Sequence, residues 1–366
     1  MDTTQSTIRW YGSLLIYILI AVIACDQYPN KGQIAHSAKL KKAQINRTSL
    51  TSQKRLPTRI HGISLSLHGE FPELNLGYSD WLREIRKAGA SHVSIVVQAN
   101  QRMSEDTVLT RVGEGTTSDT TLRRVIGLAH QEGLSVFLLP IIWLEQRTLG
   151  TWRGTLQPRN RVDWWQSYRN FILHYAKFAR DHKVSMFSIG SELGSMEKDV
   201  QQWRALIRDI RLLYDGILTY SANWDHFADI EFWNDLDAVG VTGYFELCNP
   251  PQCTVDTMID RWTLIKGGVL DWYQDQRRPP LIFTELGYPS HPMGAAQPWN
   301  YYDGAPPDSV ASYHAYRAFS QVWKDEPRLR GVFFWNAWGL GGAFDSWYTL
   351  RGKDIIVEVQ RFFQNQ

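Results

Sequence analysis

The chain has 366 residues, with 39 Lys and Arg against 37 Asp and Glu for a net charge of +2, and holds 3 Cys, 16 Trp, 16 Tyr and 15 Phe. This near-neutral balance gives no electrostatic case for nucleic acid, and three cysteines exclude a disulfide scaffold or a four-cysteine zinc site. At 43% hydrophobic and 21% charged residues the chain can bury a full core, and its tryptophan excess asks for a reason.

Residues 1–12 carry one basic side chain, Arg9, before an apolar run from Leu14 to Ala24. That run is about half of the ~20 residues that span a bilayer, so it reads as a signal-peptide core. Val22-Ile23-Ala24-Cys25 resembles the bacterial lipobox, in which a small residue precedes the Cys that is lipidated and becomes the mature N-terminus. The expectation is a lipoprotein signal peptide over 1–25, lipid on Cys25, and a protein anchored in the cell envelope. A plain signal peptide with an incidental Cys, or an uncleaved anchor starting near Trp10, is the rival. From Asp26 to Thr58 the chain is polar and aperiodic, with Lys31, Lys39, Lys41, Lys42, Arg47, Lys54 and Arg55 against Asp26 alone. It reads as a basic flexible tether, 26–58, suited to anionic headgroups once an acyl chain holds it at a membrane.

Beyond Arg59 the pattern changes. Eight β-rich runs follow: Ile60–Leu67, His92–Gln98, Leu134–Trp143, Val184–Gly190, Ile217–Asn223, Ala238–Tyr244, Pro280–Leu286 and Gly331–Trp338. Amphipathic stretches lie between them, most clearly Trp164–His182, Val200–Tyr214, Val255–Gln276 and Ser309–Lys324. Runs that are apolar nearly throughout suit parallel strands covered on both sides. The fold expected for 59–366 is therefore α/β, a single (β/α)₈ TIM barrel. A doubly wound sheet fits less well, because no Gly-rich phosphate turn follows the first run.

Barrel chemistry sits where strands end. The ends here offer His68 and Glu70 after the first run, then Gln98, Asn100 and Gln101, then Trp143 and Glu145. Later ends offer Ser191 and Glu192, Asn223, Trp224 and Asp225, Tyr244, Glu285, and Trp335. No second His or Cys accompanies His68, so neither a metal site nor a cofactor is expected. Glu192 and Glu285 stand out because each follows directly from an apolar strand, where a charge is costly unless paired or used. The fourth and seventh strands face each other across a barrel mouth, so the two carboxyls could flank a sugar, one to protonate the leaving oxygen and one to attack or activate water. Ionised Glu285 would then hold Glu192 protonated.

These segments resemble the clan of retaining glycosidases on (β/α)₈ barrels, and within it glycoside hydrolase family 113, known as β-mannanases. The matching pieces are His61-Gly62-Ile63, Ile189-Gly190-Ser191-Glu192-Leu193, Tyr220 to Asp225, Phe283-Thr284-Glu285-Leu286-Gly287-Tyr288 and Phe334-Trp335-Asn336. The resemblance implies Glu192 as acid/base, Glu285 as nucleophile, Tyr244 as a hydrogen-bond partner of that nucleophile and Trp335 as the floor of the cleavage subsite. It implies a polysaccharide or oligosaccharide substrate, β-mannan first. Ser191 departs from the clan's usual Asn, which bonds the sugar 2-hydroxyl; that contact is lost, bridged by water, or made by Asn223.

Blander readings stand beside these. Glu192 alone could be a cap-region carboxylate of the following helix, and Glu285 a structural ion-pair partner of an arginine; the pair is what favours catalysis. Trp164, Trp165 and Trp203 fall within helices and read as core. Trp143, Trp152, Trp224, Trp299, Trp335, Trp338 and Trp347 fall at strand ends or in loops, where aromatic faces could stack on sugar C–H groups. Cys248 and Cys253 could close a small disulfide in the sixth loop or stay as thiols. A monomer is expected. The rivals in function are a non-catalytic carbohydrate-binding lipoprotein and a transglycosylase using the same glutamates.

Overall fold

The computed structural model describes residues 56–365 except 58, 68–71, 275–277, 301–305 and 340, and of 72–76 only the backbone. The expected signal peptide with Cys25, the expected tether up to residue 55, and both His68 and Glu70 therefore lie outside the described residues.

Eight strands alternate with helices. They are β1 (Ile60–Ser66), β2 (His92–Gln101), β3 (Ser135–Leu144), β4 (Met186–Ser191), β5 (Ile217–Asn223), β6 (Val239–Thr242), β7 (Leu281–Leu286) and β8 (Leu329–Phe334). Each pairs parallel with its successor, and β8 returns to β1 from Ile60↔Gly331 to Ile63↔Phe334, closing a barrel. The helices are α1 (Pro72–Lys87), α2 (Asp119–Gln131), α3 (Arg161–Asp181), α4 (Val200–Arg211), α5 (Val255–Trp272), α6 (Ser309–Trp323) and α7 (Ile355–Gln364). Several start on the caps their sequences supply: Asn160 accepts from Val162 and Asp163 ahead of α3, and Thr254 forms a capping box with Thr257 ahead of α5. Between β5 and β6 the rhythm breaks. Two 3₁₀ turns, Phe227–Asp229 and Trp233–Asp235, replace an α-helix there, because Phe232 and Trp233 are drawn in against Trp203 and Tyr220.

Strand alternation sorts the side chains. Ile63 and Leu65 of β1, Val93, Ile95 and Val97 of β2 and Leu138 of β3 join the layer that packs under the helices. Ile60, Val96, Phe137, Leu139, Met186, Ile282 and Phe333 form a second cluster. Phe137 on β3 and Phe333 on β8 touch at 4.9 Å between ring centroids, although their strands are not neighbours, so this second cluster fills the barrel's interior. Gly62 is required there: a Cβ would stand 2.2 Å from the Phe333 ring. The same alternation aims Trp335, which packs on the interior cluster, inward at the open end.

The exit of β4 rests on a buried aromatic cage. A Cβ on Gly190 would meet Tyr168 Oη at 2.4 Å, and Trp203 packs on the same backbone and donates from Nε1 to Met196 O at 3.0 Å. Trp203 is fully buried. Trp203→Ala is expected to cost about 3–5 kcal/mol in urea unfolding; a loss under about 1 kcal/mol would show that the cage collapses without consequence.

Candidate active site

Glu192 is the first residue after β4 and takes a left-handed backbone, φ 54°. For a non-glycine this costs about 1–3 kcal/mol and must be held by its surroundings. Glu192 N donates to Ser221 O at 2.8 Å, and Leu193 N donates to Tyr220 Oη at 2.7 Å. Tyr220 in turn donates to Glu197 Oε1 at 2.7 Å, and His226 Nε2 lies 3.2 Å from Glu197 Oε2. Glu197, and to a lesser degree Asp225, raise the His226 pKa to about 9. A buried tyrosine, carboxylate and imidazolium thus brace the strained turn from behind. Glu192 does not cap a helix: α4 starts only at Val200, after a 3₁₀ turn at Gly194–Met196, and Asp199 is its N-cap.

The Glu192 carboxylate takes two side-chain donors, Arg153 Nη2 to Oε2 at 2.5 Å and Thr242 Oγ1 to Oε1 at 2.7 Å. Thr242 also lies 3.2 Å from Ala222 O. Its single proton can serve the ionised carboxylate, or turn to Ala222 and leave the hydroxyl oxygen to accept from a protonated one. Glu285, the fifth residue of β7, is buried and accepts from Tyr244 Oη at 2.7 Å. Burial, and then the charge of Glu192, push the Glu285 pKa from 4.5 to about 8, against the opposing pull of Arg153 and Tyr244.

This reverses the electrostatic expectation from sequence. Ionised Glu285 is the expectation from sequence, but burial and then the charge of Glu192 raise the Glu285 pKa, while the Arg153 guanidinium sits on the Glu192 carboxylate. Sequence reasoning missed Arg153 and assigned no role to Thr242. Nothing in the loop after β3 marks Arg153 among its neighbours, whereas Thr242, two residues before Tyr244 at a strand end, was in view.

The remaining candidates surround this pair unevenly. Ser191 Oγ is buried with no hydrogen-bond partner. Asn223 turns its Oδ1 to Trp224 N at 3.1 Å. Trp224 stacks near-parallel with Trp299, centroids 6.1 Å apart, and tilts against Phe245. Trp143 lies inside β3, not after it, with the Arg147 guanidinium 3.9 Å over its ring. Cys248 and Cys253 are joined in a disulfide, and Leu247 N donates to Ala295 O at 2.9 Å, tying the loop after β6 to the loop after β7. A cavity of about 300 Å³ opens between Asn336, Trp338, Trp347 and Tyr348, and Tyr348 contacts Tyr244 edge-on. A second cavity, about 430 Å³, lies between α6 and α7, away from the strand ends. The helix tryptophans Trp164, Trp165 and Trp203 are buried, while Trp299 and Trp347 are 45% and 46% exposed. Among the described residues no cluster of three or more His, Cys, Asp or Glu is placed to hold a metal.

A closed eight-strand barrel with two buried glutamates at its strand ends has the architecture of a glycoside hydrolase. The model for glycoside hydrolase family 113 matches residues 68–341. The chain belongs to that family. A family 113 β-mannanase of Alicyclobacillus acidocaldarius, solved with the ligand ManMIm, superposes with a TM-score of 0.74 at 25% identity over 84% of this chain and 98% of that one. A family 113 β-1,4-mannanase superposes at 0.72 with 22% identity over 85% of this chain and 100% of that one. A Faecalibacterium prausnitzii β-glucuronidase shares the fold at 0.58 and 15% identity over 84% of this chain and 49% of that one. No curated protein matches the sequence.

Proposed function

We propose that the protein cleaves β-linked mannan, or a closely related β-glycan, with retention of configuration. Glu192 protonates the departing oxygen while Glu285 attacks the anomeric carbon to form a glycosyl ester. Water, deprotonated by Glu192, then attacks that carbon and releases Glu285. The observation that carries this is the buried pair itself: two carboxyls near enough for the charge of Glu192 to raise the Glu285 pKa, with Glu285 held by Tyr244. Trp335 forms the floor, and the stacked Trp224 and Trp299 offer an aromatic face for sugar. The preference for mannan rests on the family and its solved mannanases. A panel of β-mannan, β-glucan, xylan and bacterial exopolysaccharides, given to the protein lacking residues 1–25, tests it: mannan should be cleaved fastest, and equal or absent cleavage of all four would contradict it.

Anchoring through Cys25 is a further part of this reading. It is supported by the apolar run ending in Ala24-Cys25 and by the basic segment that follows. In a bacterial host, Cys25→Ala should abolish labelling by a radioactive fatty acid and shift the protein out of the membrane fraction. Unchanged labelling would contradict it.

A further inference from the structure

Arg153 reaches the site from the loop between β3 and α3, on the 3₁₀ turn Arg153–Thr155. It meets Glu192 with the two side chains only 20% and 7% exposed, and its charge acts on Glu285 and Tyr244 as well. Its Nε is buried without a hydrogen-bond partner, so this seat uses only part of what a guanidinium offers. A glycosidic oxygen that is to be protonated by Glu192 must approach the carboxyl group that Arg153 covers. A carboxylate paired with arginine also has no proton to give. The resting arrangement therefore cannot start the reaction proposed above.

We propose that Arg153 is a latch on Glu192, seated in the free protein and displaced by the entering glycan. This rests on the reading of Glu192 as the acid/base and makes Arg153 a positioning residue. Once the guanidinium leaves, Glu192 takes one proton from solvent. Its charge then no longer opposes ionisation of Glu285, which gives one proton back, so the net charge of the pair is unchanged and each group is in its working form. The turn itself stays tied down, since Ser104 Oγ donates to Thr155 O at 3.2 Å and Gln157 N donates to Ser104 O at 3.1 Å. Release is a movement of the Arg153 side chain.

The titratable and charged groups that face this seat are Glu192 after β4, Glu285 on β7 and Tyr244 after β6; Glu197 and the His226 imidazolium, itself paired with Asp225, stand behind the Glu192 turn. The test is Arg153→Met beside Arg153→Lys. In the Met variant both limbs of the kcat/KM–pH profile should move to higher pH, because a positive charge that favours two carboxylates has gone. The kcat profile, which reports the glycan-bound protein, should not move. Lysine should restore the kcat/KM limbs towards the parent. Independently of turnover, the Met variant should bind a thio-linked manno-oligosaccharide about tenfold more tightly by calorimetry, since no ion pair has to be broken. Limbs of kcat that move together with those of kcat/KM would mean that Arg153 stays seated during turnover and would overturn the latch. So would profiles that do not move at all, or weaker binding of the thio-sugar. Glutamate variants assayed on the same mannan test the glycosidase reading separately, so its failure is distinguishable from failure of the latch.

Discussion

Glu285→Gln is expected to lower kcat/KM on β-mannan by on the order of 10⁴-fold and, in the same protein, to raise stability at neutral and alkaline pH. The first effect follows because the amide cannot form the glycosyl ester. The second follows from linkage. The Glu285 pKa rises from 4.5 to about 8 on folding, so between those values the folded protein keeps a proton that the unfolded chain has lost. Stability falls as pH rises through that window, and the amide has no proton to lose. The melting temperature of the variant should therefore exceed that of the parent by more at pH 8 than at pH 5. A dead variant that melts lower at pH 8 would show that the fold, not the chemistry, had failed. A live variant would remove Glu285 from the nucleophile's role.

Glu192→Ala should lose about 10²–10⁴-fold on mannan, whose leaving sugar needs a proton. On an aryl β-mannoside with a nitrophenolate leaving group the first step needs no acid, and the loss should be far smaller. Azide should then accelerate turnover and yield a β-mannosyl azide, because the anion attacks the intermediate without a general base. An equal loss on both substrates, with no azide effect, would place Glu192 among the structural carboxylates. The alanine also leaves Arg153 without its closest partner, so the guanidinium would lie among Glu285 and Tyr244 alone. Comparing Glu192→Ala with the Glu192→Ala, Arg153→Met double variant removes that complication.

Much of this was legible in the sequence because barrels are built from local signals. The runs that carry Glu192 and Glu285 at their ends are apolar because parallel barrel strands are buried on both faces, and a glutamate at the end of such a run declares itself. The pairing of Tyr244 with Glu285 came through resemblance, since strand-end residues of β6 and β7 are brought together only by closure. The helix-free connection between β5 and β6 was not legible: Phe232 and Trp233 are chosen by Trp203 and Tyr220, which are remote in sequence. Arg153 was invisible for a related reason. A loop arginine looks like any solvated cation until the fold carries it beside two buried carboxylates. The upward shift of the Glu285 pKa follows from its burial and then from Glu192, and the depth of that burial is set by the closed barrel, not by the local sequence. The tryptophans divided partly as position suggested, with Trp164, Trp165 and Trp203 in the core and two loop tryptophans, Trp299 and Trp347, open to solvent.

The central claim is a covalent intermediate on Glu285, and mass spectrometry of the protein treated with 2-deoxy-2-fluoro-β-mannosyl fluoride tests it most directly. A single fluoromannosyl adduct should form, mapping to the peptide that carries Glu285, with activity lost in step. Hydrolysis of mannan that releases the inverted anomer, with no adduct on Glu285, would contradict it.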